Sequence, residues 1–298
     1  MKSFILIILL SQVLFSFDLK PIKLSDNTYY IEGKKEYFSK ENKGDIANSA
    51  FIITKNYVIL IDTGSSEAYA QSLKKAVAKI TSNPIKYVIN THHHPDHFLG
   101  NSAFKNSDIY ASAFTKNDIE KNGDLYISNM VGLLGKTSYS TKIKAPNKVL
   151  NKNRLVLDDY ELDILFLQGH TQSDIVIFDK KTNILFAADL IFNKRTLSTP
   201  HANINKWISS LKRLEKIDYS ILVPGHGASF TDKKPIKENI AYLEYLENTL
   251  KNSANEGLDV YEILNKPIPQ EFKDFAMFKE EFQRSVINSY PKYEENAN

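Results

Sequence analysis

From about residue 20 onward the chain switches between two hydrophobic periods, and each switch marks an element. "AFIIT" and "YVILID" are short β-branched runs separated by Lys55-Asn56, which predicts a hairpin ending at Asp62-Thr63-Gly64. Residues 66–80, "SEAYAQSLKKAVAKI", place apolar side chains at helical spacing behind a serine cap and predict a helix. Pro84 closes that unit, and "IKYVINT" predicts a buried strand that runs straight into residues 91–97. Helix-like and strand-like pieces continue through "DIYAS", a Lys/Asn/Gly-rich stretch at residues 116–153, and "ELDILFLQ". "DIVIFD" and "NILFAAD" predict a second hairpin around Lys180-Lys181-Thr182, followed by the amphipathic helix "INKWISSLKRLEKI" and the strand "SILVPGHG". Strands followed by helices, twice over, predict two sheets with helices packed outside them. From Pro235 the signals are helical.

Ahead of this pattern, Met1-Lys2-Ser3 leads into "FILIILLSQVLF", one positive charge before an apolar run too short to span a bilayer comfortably. Residues 1–16 are therefore expected to be a signal peptide cleaved near Ser16. Residues 17–234 form the expected main domain, and residues 235–298 a helical extension of it. The expected location is the periplasm or the exterior, without stable membrane insertion after cleavage. The chain has no cysteine, so any metal site must use His, Asp and Glu. A net charge of +3, from 38 basic and 35 acidic residues, is too weak to suggest a nucleic-acid partner, and a small-molecule substrate is expected. No feature points to a particular oligomeric state.

"NTHHHPDHFLGN" concentrates four of the chain's seven histidines, with one aspartate, into residues 92–97. Imidazole nitrogens removed from water need partners, so a packed core has no use for such a cluster, whereas a metal has. A sharp loop leaving a strand can direct alternate residues, His92 and His94, at one ion, and the next turn can aim Asp96 and His97 at a second. Further ligands are expected where other strand signals stop: His170 in "LQGHT", Asp189 in "FAAD" and His226 in "VPGHG". Two ions sharing a water would turn it into a hydroxide nucleophile near neutral pH. His93 is expected to point away from the ions as a supporting or surface group, His201 to be a surface residue, and Trp207 to be core.

"THHHPDH", "GHT", "FAAD" and "PGHG", in this order and at these spacings, resemble the metallo-β-lactamase superfamily of hydrolases over roughly residues 25–230. The resemblance implies an α+β protein, an αβ/βα four-layer sandwich with its site at the edge between the sheets. It implies that His92, His94 and His170 hold a first zinc, that Asp96, His97 and His226 hold a second, and that Asp189 bridges both. Asp62 in "IDTG" matches the superfamily's acidic position that orients ligands without binding metal.

Within the superfamily, the diiron flavoprotein reductases carry a glutamate where His94 stands, which argues against a redox role. The commonest zinc β-lactamases have a cysteine at the position of Asp189 and, three residues on, a lysine that grips the antibiotic carboxylate; this chain has Asp189 and Phe192. Glyoxalase II shares the His97 and Asp189 set, but no glutathione-binding cluster is recognisable in the C-terminal region. "AADLIFNKRTLSTPHANINKWISSLKRLEKI" and "FKEEFQRSVINSYPKYE" look like the exported zinc metallohydrolases associated with quinoprotein relay systems or sulfur oxidation. The expectation is a dinuclear zinc hydrolase of an ester, thioester, lactone or amide, with Asp96 as a proton shuttle. Iron or manganese can fill the same ligands. The alternatives are a true class B β-lactamase and a non-catalytic metal-binding protein on the same fold.

Overall fold

The hairpin at Lys55-Asn56 forms the centre of a seven-stranded sheet in a computed structural model that describes residues 17–297. The expected signal peptide lies outside the described residues. This first sheet runs in chain order through β1 (Ile22–Lys23), β2 (Thr28–Ile31), β3 (Ser49–Ile53), β4 (Val58–Ile61), β5 (Ile85–Ile89), β6 (Asp108–Ser112) and β7 (Lys148–Leu150). It is antiparallel as far as β4 and parallel from β4 to β7. The second sheet has the order β12-β11-β10-β9-β8, from β8 (Arg154–Leu157), β9 (Tyr160–Leu167), β10 (Asp174–Asp179), β11 (Ile184–Phe192) and β12 (Ile221–His226). Only its β11–β12 pair is parallel, because a helix intervenes there.

Strand alternation distributes side chains among three apolar layers. In β3 and β4, Ala50, Ile52, Ile59 and Ile61 face the second sheet and meet Ile164, Ile175, Ile177 and Phe186. Their neighbours Phe51, Val58 and Leu60 face the other way and cover α1 (Glu67–Ala78), which Ser66 caps by accepting from the Tyr69 amide. The same alternation in β10 and β11 turns Val176, Leu185 and Ala187 outward onto α4 (Ile204–Leu214) and α5 (Lys234–Glu256). Both faces of both sheets are therefore buried, which gives the order helix, sheet, sheet, helix, the expected four-layer αβ/βα sandwich.

Two helical regions shape the open edge of this sandwich. The stretch at residues 116–153, to which the periodicity assigned no definite element, holds most of α3 (Ala113–Leu134), and the short α2 (Pro95–Phe98) carries Asp96 and His97. The apolar stripe of α3 is sparse, with only Thr115, Ile119, Gly123, Met130 and Leu134 buried, so the pattern there was weak. At the other end, α5, α6 (Val260–Leu264) and α7 (Phe278–Ala297) share one apolar cluster with the second sheet and α4. Among the described residues no helix is long and apolar enough to cross a membrane.

That shared cluster contains the chain's one tryptophan, Trp207, which is fully buried. Leu246→Ala in α5 should therefore lower the unfolding free energy by about 2–5 kcal/mol. The denaturant transition followed by Trp207 fluorescence should shift together with that followed by far-ultraviolet circular dichroism. Separate transitions would mean that α5 unfolds independently of the sheet.

Candidate metal centre

The site begins where β4 and β5 end side by side. Asp62 follows β4, is buried, and takes φ +58°, a left-handed conformation that costs energy for a non-glycine residue. Its Oδ1 accepts from the Thr91 amide at 2.9 Å, and its Oδ2 accepts from Thr91 Oγ1 at 2.8 Å and from His97 Nδ1 at 2.8 Å. Thr91 Oγ1 spends its proton on Asp62, so at 3.0 Å it must accept from His92 Nδ1. One carboxylate thereby sets two imidazoles, leaving the Nε2 lone pairs of His92 and His97 free to bind. Burial raises the Asp62 pKa, while His97 and Thr91 act in the opposite direction.

The second sheet supplies the remaining groups: His170 and His226 come from strand ends, whereas Asp189, expected where a strand stops, lies within β11, which runs on to Phe192. His170 follows β9 in a turn held by Asp174, whose carboxylate accepts from the Thr171 amide and hydroxyl; burial pushes the Asp174 pKa up to about 6. Gly169 has φ +148°, and a Cβ there would lie 2.3 Å from the Trp207 Cα, so α4 can pack this closely only against glycine. Asp189 sits at an irregularity in the β11–β12 pairing, where Ala188 takes φ +45°. A Cβ on Gly225 would fall 1.9 Å from Asp189 Oδ1, so β12 must be bare where the carboxylate crosses it. His226 Nδ1 lies 2.7 Å from the Ile46 carbonyl, to which it donates, and this turns Nε2 toward Asp189 at 3.2 Å and Asp96 at 3.5 Å.

All eight residues singled out in the sequence meet at this edge. His92, His94, His170 and Asp189 form one group whose donor atoms lie within 4.8 Å of one another, and Asp96, His97 and His226 form a second. Asp189 links the groups: its Oδ2 is 3.3 Å from His170 Nε2, and its Oδ1 is 3.0 Å from His97 Nε2. His170 Nε2 and His94 Nδ1 face each other at 2.7 Å. Buried His92 Nε2, His97 Nε2 and Asp189 Oδ1 have no hydrogen-bond partner in good geometry, an arrangement costly for a fold but fitting for cation ligands. A tetrahedral ion with bonds of about 2.0–2.1 Å needs ligand atoms roughly 3.4 Å apart, and the separations here, from 2.7 Å to 3.9 Å, lie on either side of that spacing.

The electrostatics favour bound cations in two different ways: His92 and His94 are already neutral, whereas His97 holds a proton that a cation would displace. Burial, reinforced by neighbouring imidazoles, pushes the pKa values of His92 and His94 well below the usual value and keeps both neutral, as ligands must be. Burial alone would lower the His97 pKa, but Asp189, Asp62 and Asp96 raise it well above normal. Burial alone would raise the Asp189 pKa, but His226, His97 and His170 hold it well below.

Two further histidines adjoin the ligand groups, and of the supporting and surface roles expected for His93 the structure favours the supporting one. His201 is exposed as expected, yet its Nδ1 lies 2.9 Å from His94 Nε2, so it holds that ring from behind. His93 is not a surface group: it is buried against Phe114 of α3, its ring 5.7 Å away, and also touches His201. Nothing in the local sequence signals the His94–His201 contact, which spans more than a hundred positions. The groups open into a cleft of about 580 Å³, walled by Tyr126, Met130 and Leu133 of α3 on one side and by Glu281 and Arg284 of α7 on another.

Comparison with known proteins agrees with this geometry. The profile of the family described as Metallo-beta-lactamase superfamily matches residues 42–226. The chain is similar to metallo-beta-lactamase IND-1 of Chryseobacterium indologenes, 28% identical over 207 residues, covering 67% of this chain and 76% of that protein. It is also similar to a linear primary-alkylsulfatase of a Pseudomonas species, 21% identical over 274 residues, covering 78% of this chain and 52% of the relative. Among solved structures, a metallo-beta-lactamase from Pontibacter korlensis superposes with a TM-score of 0.62 at 20% identity, covering 76% of this chain and 99% of that one. At that identity the likeness shows the fold alone.

Asp62→Asn should show how much depends on one carboxylate. The amide offers a single acceptor oxygen in place of two, so it cannot accept from the Thr91 amide on one side and from the Thr91 hydroxyl and His97 on the other at once. Zinc affinity measured by chelator competition should fall about 10–100-fold. An unchanged affinity would mean that Asp62 does not orient the ligands.

Proposed function

The chain belongs to the metallo-β-lactamase superfamily of hydrolases, and we propose that it is an exported dinuclear zinc enzyme cleaving an ester, thioester, lactone or amide. The observation that carries this reading is the pair of ligand groups joined through Asp189, with binding atoms left unpaired, at the floor of an open cleft. Divalent cations held there would supply Lewis acidity and lower the pKa of a coordinated water toward neutrality. His92, His94 and His170 would hold one, Asp96, His97 and His226 the other, and Asp189 both.

The chain's own groups do the positioning. Asp62 and Thr91 fix His92 and His97, the Ile46 carbonyl fixes His226, and His201 backs His94. Asp96 is buried but lines the cleft, where its carboxylate can hold a proton in transit between water and a leaving group. The aromatic and aliphatic wall of α3 excludes water and suits an apolar substrate body.

A β-lactamase reading draws support from the similarity to IND-1. Phe192 departs from the commonest β-lactamase pattern at one position: the ring standing where those enzymes have a carboxylate-gripping lysine is fully buried and stacks on His226 at 4.9 Å. A purely structural metal site would close its coordination, whereas this one faces a cleft. The narrower likeness to exported zinc metallohydrolases rests on the "AADLIFNKRTLSTPHAN" stretch and the C-terminal tail, and export rests on the leader pattern of residues 1–16.

The test is metal content per chain combined with hydrolysis of ester, thioester, lactone, amide and β-lactam substrates. Two zincs per chain are expected, with turnover on an acyl substrate that chelation abolishes. Asp96→Asn should cost about 10²–10⁴-fold in kcat, with its metal content measured in parallel. Sub-stoichiometric metal and no turnover on any member of the panel would overturn the proposal in favour of a binding protein.

A further inference from the structure

The cleft contains a second charged cluster that the metal centre does not use. Arg195, just after β11, is only 2% exposed yet lines the cleft. Its Nη2 donates to Glu281 Oε1 at 3.1 Å and to the Glu36 carbonyl at 3.4 Å, and its Nη1 donates to the Thr196 carbonyl at 3.3 Å. Its Nε is buried without a partner. Glu281, on α7, is fully buried and shared: Arg284 Nη1 donates to its Oε2 at 2.8 Å and to Ser198 Oγ at 3.4 Å.

Two guanidinium groups thus face one carboxylate: Arg195 and Glu281 form a buried pair, and the second positive charge, on partly exposed Arg284, has no carboxylate of its own. A closed structural ion network would be balanced, because an uncompensated buried charge is expensive. The surplus is displayed toward the cleft. Arg284 is 34% exposed and lies 4.9 Å from the centre of the Tyr37 ring. Among the described residues, its Nε and Nη2 donate to nothing, so one edge of the planar fork remains open. The cluster also adjoins the metal ligands: the Phe192 ring that stacks on His226 lies 5.4 Å from the Arg195 guanidinium.

We propose that Arg284, held by Glu281 and backed by Arg195, anchors an anionic substituent of the substrate, so that the preferred substrate is an acyl compound bearing a carboxylate. The inference rests on the hydrolase reading above and specifies its substrate class. Glu281 and Arg284 lie beyond residues 42–226, the part matched by the family, so the anchor belongs to this chain's own C-terminal helix. The α3 wall opposite receives the apolar body, and the fork takes the carboxylate bidentately.

Two near-isosteric esters test this on the full, zinc-loaded protein: mono-(4-nitrophenyl) glutarate, which is anionic, and 4-nitrophenyl 5-methylhexanoate, in which a neutral isopropyl group replaces the carboxylate. The anionic ester should have the higher kcat/KM, on the order of 10–100-fold, the worth of a charge-assisted hydrogen bond. Arg284→Gln should bring the ratio close to unity and Arg284→Lys should retain part of it. Arg154→Gln, an exposed site on β8, should leave it unchanged. The metal ions also attract anions, so the loss of preference in Arg284→Gln is the decisive comparison; preference retained in that variant overturns the proposal. Calorimetric binding of glutaranilic acid against butyranilide, on wild type and Arg284→Gln, requires no turnover. Selective binding that disappears in the variant, with neither ester nor any other member of the hydrolysis panel cleaved, would uphold the anchor and sink the hydrolase reading. Turnover of both esters at equal efficiency would do the reverse.

Discussion

The candidate centre depends on one buried carboxylate. Asp62 accepts from the Thr91 amide, the Thr91 hydroxyl and His97, and through Thr91 it also determines which nitrogen of His92 is free. Its place is fixed by parallel pairing: the Asp62 amide donates to the Ile89 carbonyl at 3.0 Å, and the Thr63 amide to the His97 carbonyl at 2.8 Å. The strained backbone at Asp62 is tolerated because β4, β5 and the histidine loop all constrain it. Sheet pairing is thereby converted into ligand orientation.

The other half of the centre shows the same economy. The irregularity at Ala188 and the bare Cα of Gly225 place Asp189 between the two groups of histidines. Asn48, at the foot of β3, ties the sheets together there: its amide donates to the carbonyls of Pro224 and Gly227, both at 2.8 Å, while its oxygen accepts from the Gly33 amide. The end of β12 that carries His226 is thus held by the opposite sheet, and the site lies on a seam that packing alone would leave free to slide.

Much of this was legible in the sequence for a chemical reason. Metal ligands need strongly polar residues at strand ends, and "THHHPDH", "GHT", "FAAD" and "PGHG" each put such residues directly after an apolar run. Strand alternation in "AFIIT" and "YVILID" and the amphipathic spacing behind Ser66 likewise specified the first sheet and α1. The cleft walls were harder to read. Helix α3 buries too few apolar residues to show a period, and the Arg195–Glu281–Arg284 cluster joins positions 86 residues apart in the chain. The support of His94 by His201 is equally non-local. Local pattern reveals which groups react with an ion; it does not reveal which distant side chains face them.

The position of α7 has a consequence for inheritance. The metal-type groups all come from between Asp62 and His226, whereas one cleft wall comes from a helix near the end of the chain. Mutations in that helix can therefore change what the cleft admits without disturbing the groups at its floor. A lineage carrying this arrangement can explore new substrates by drift at the cleft-facing positions of α7, keeping the costlier constellation intact.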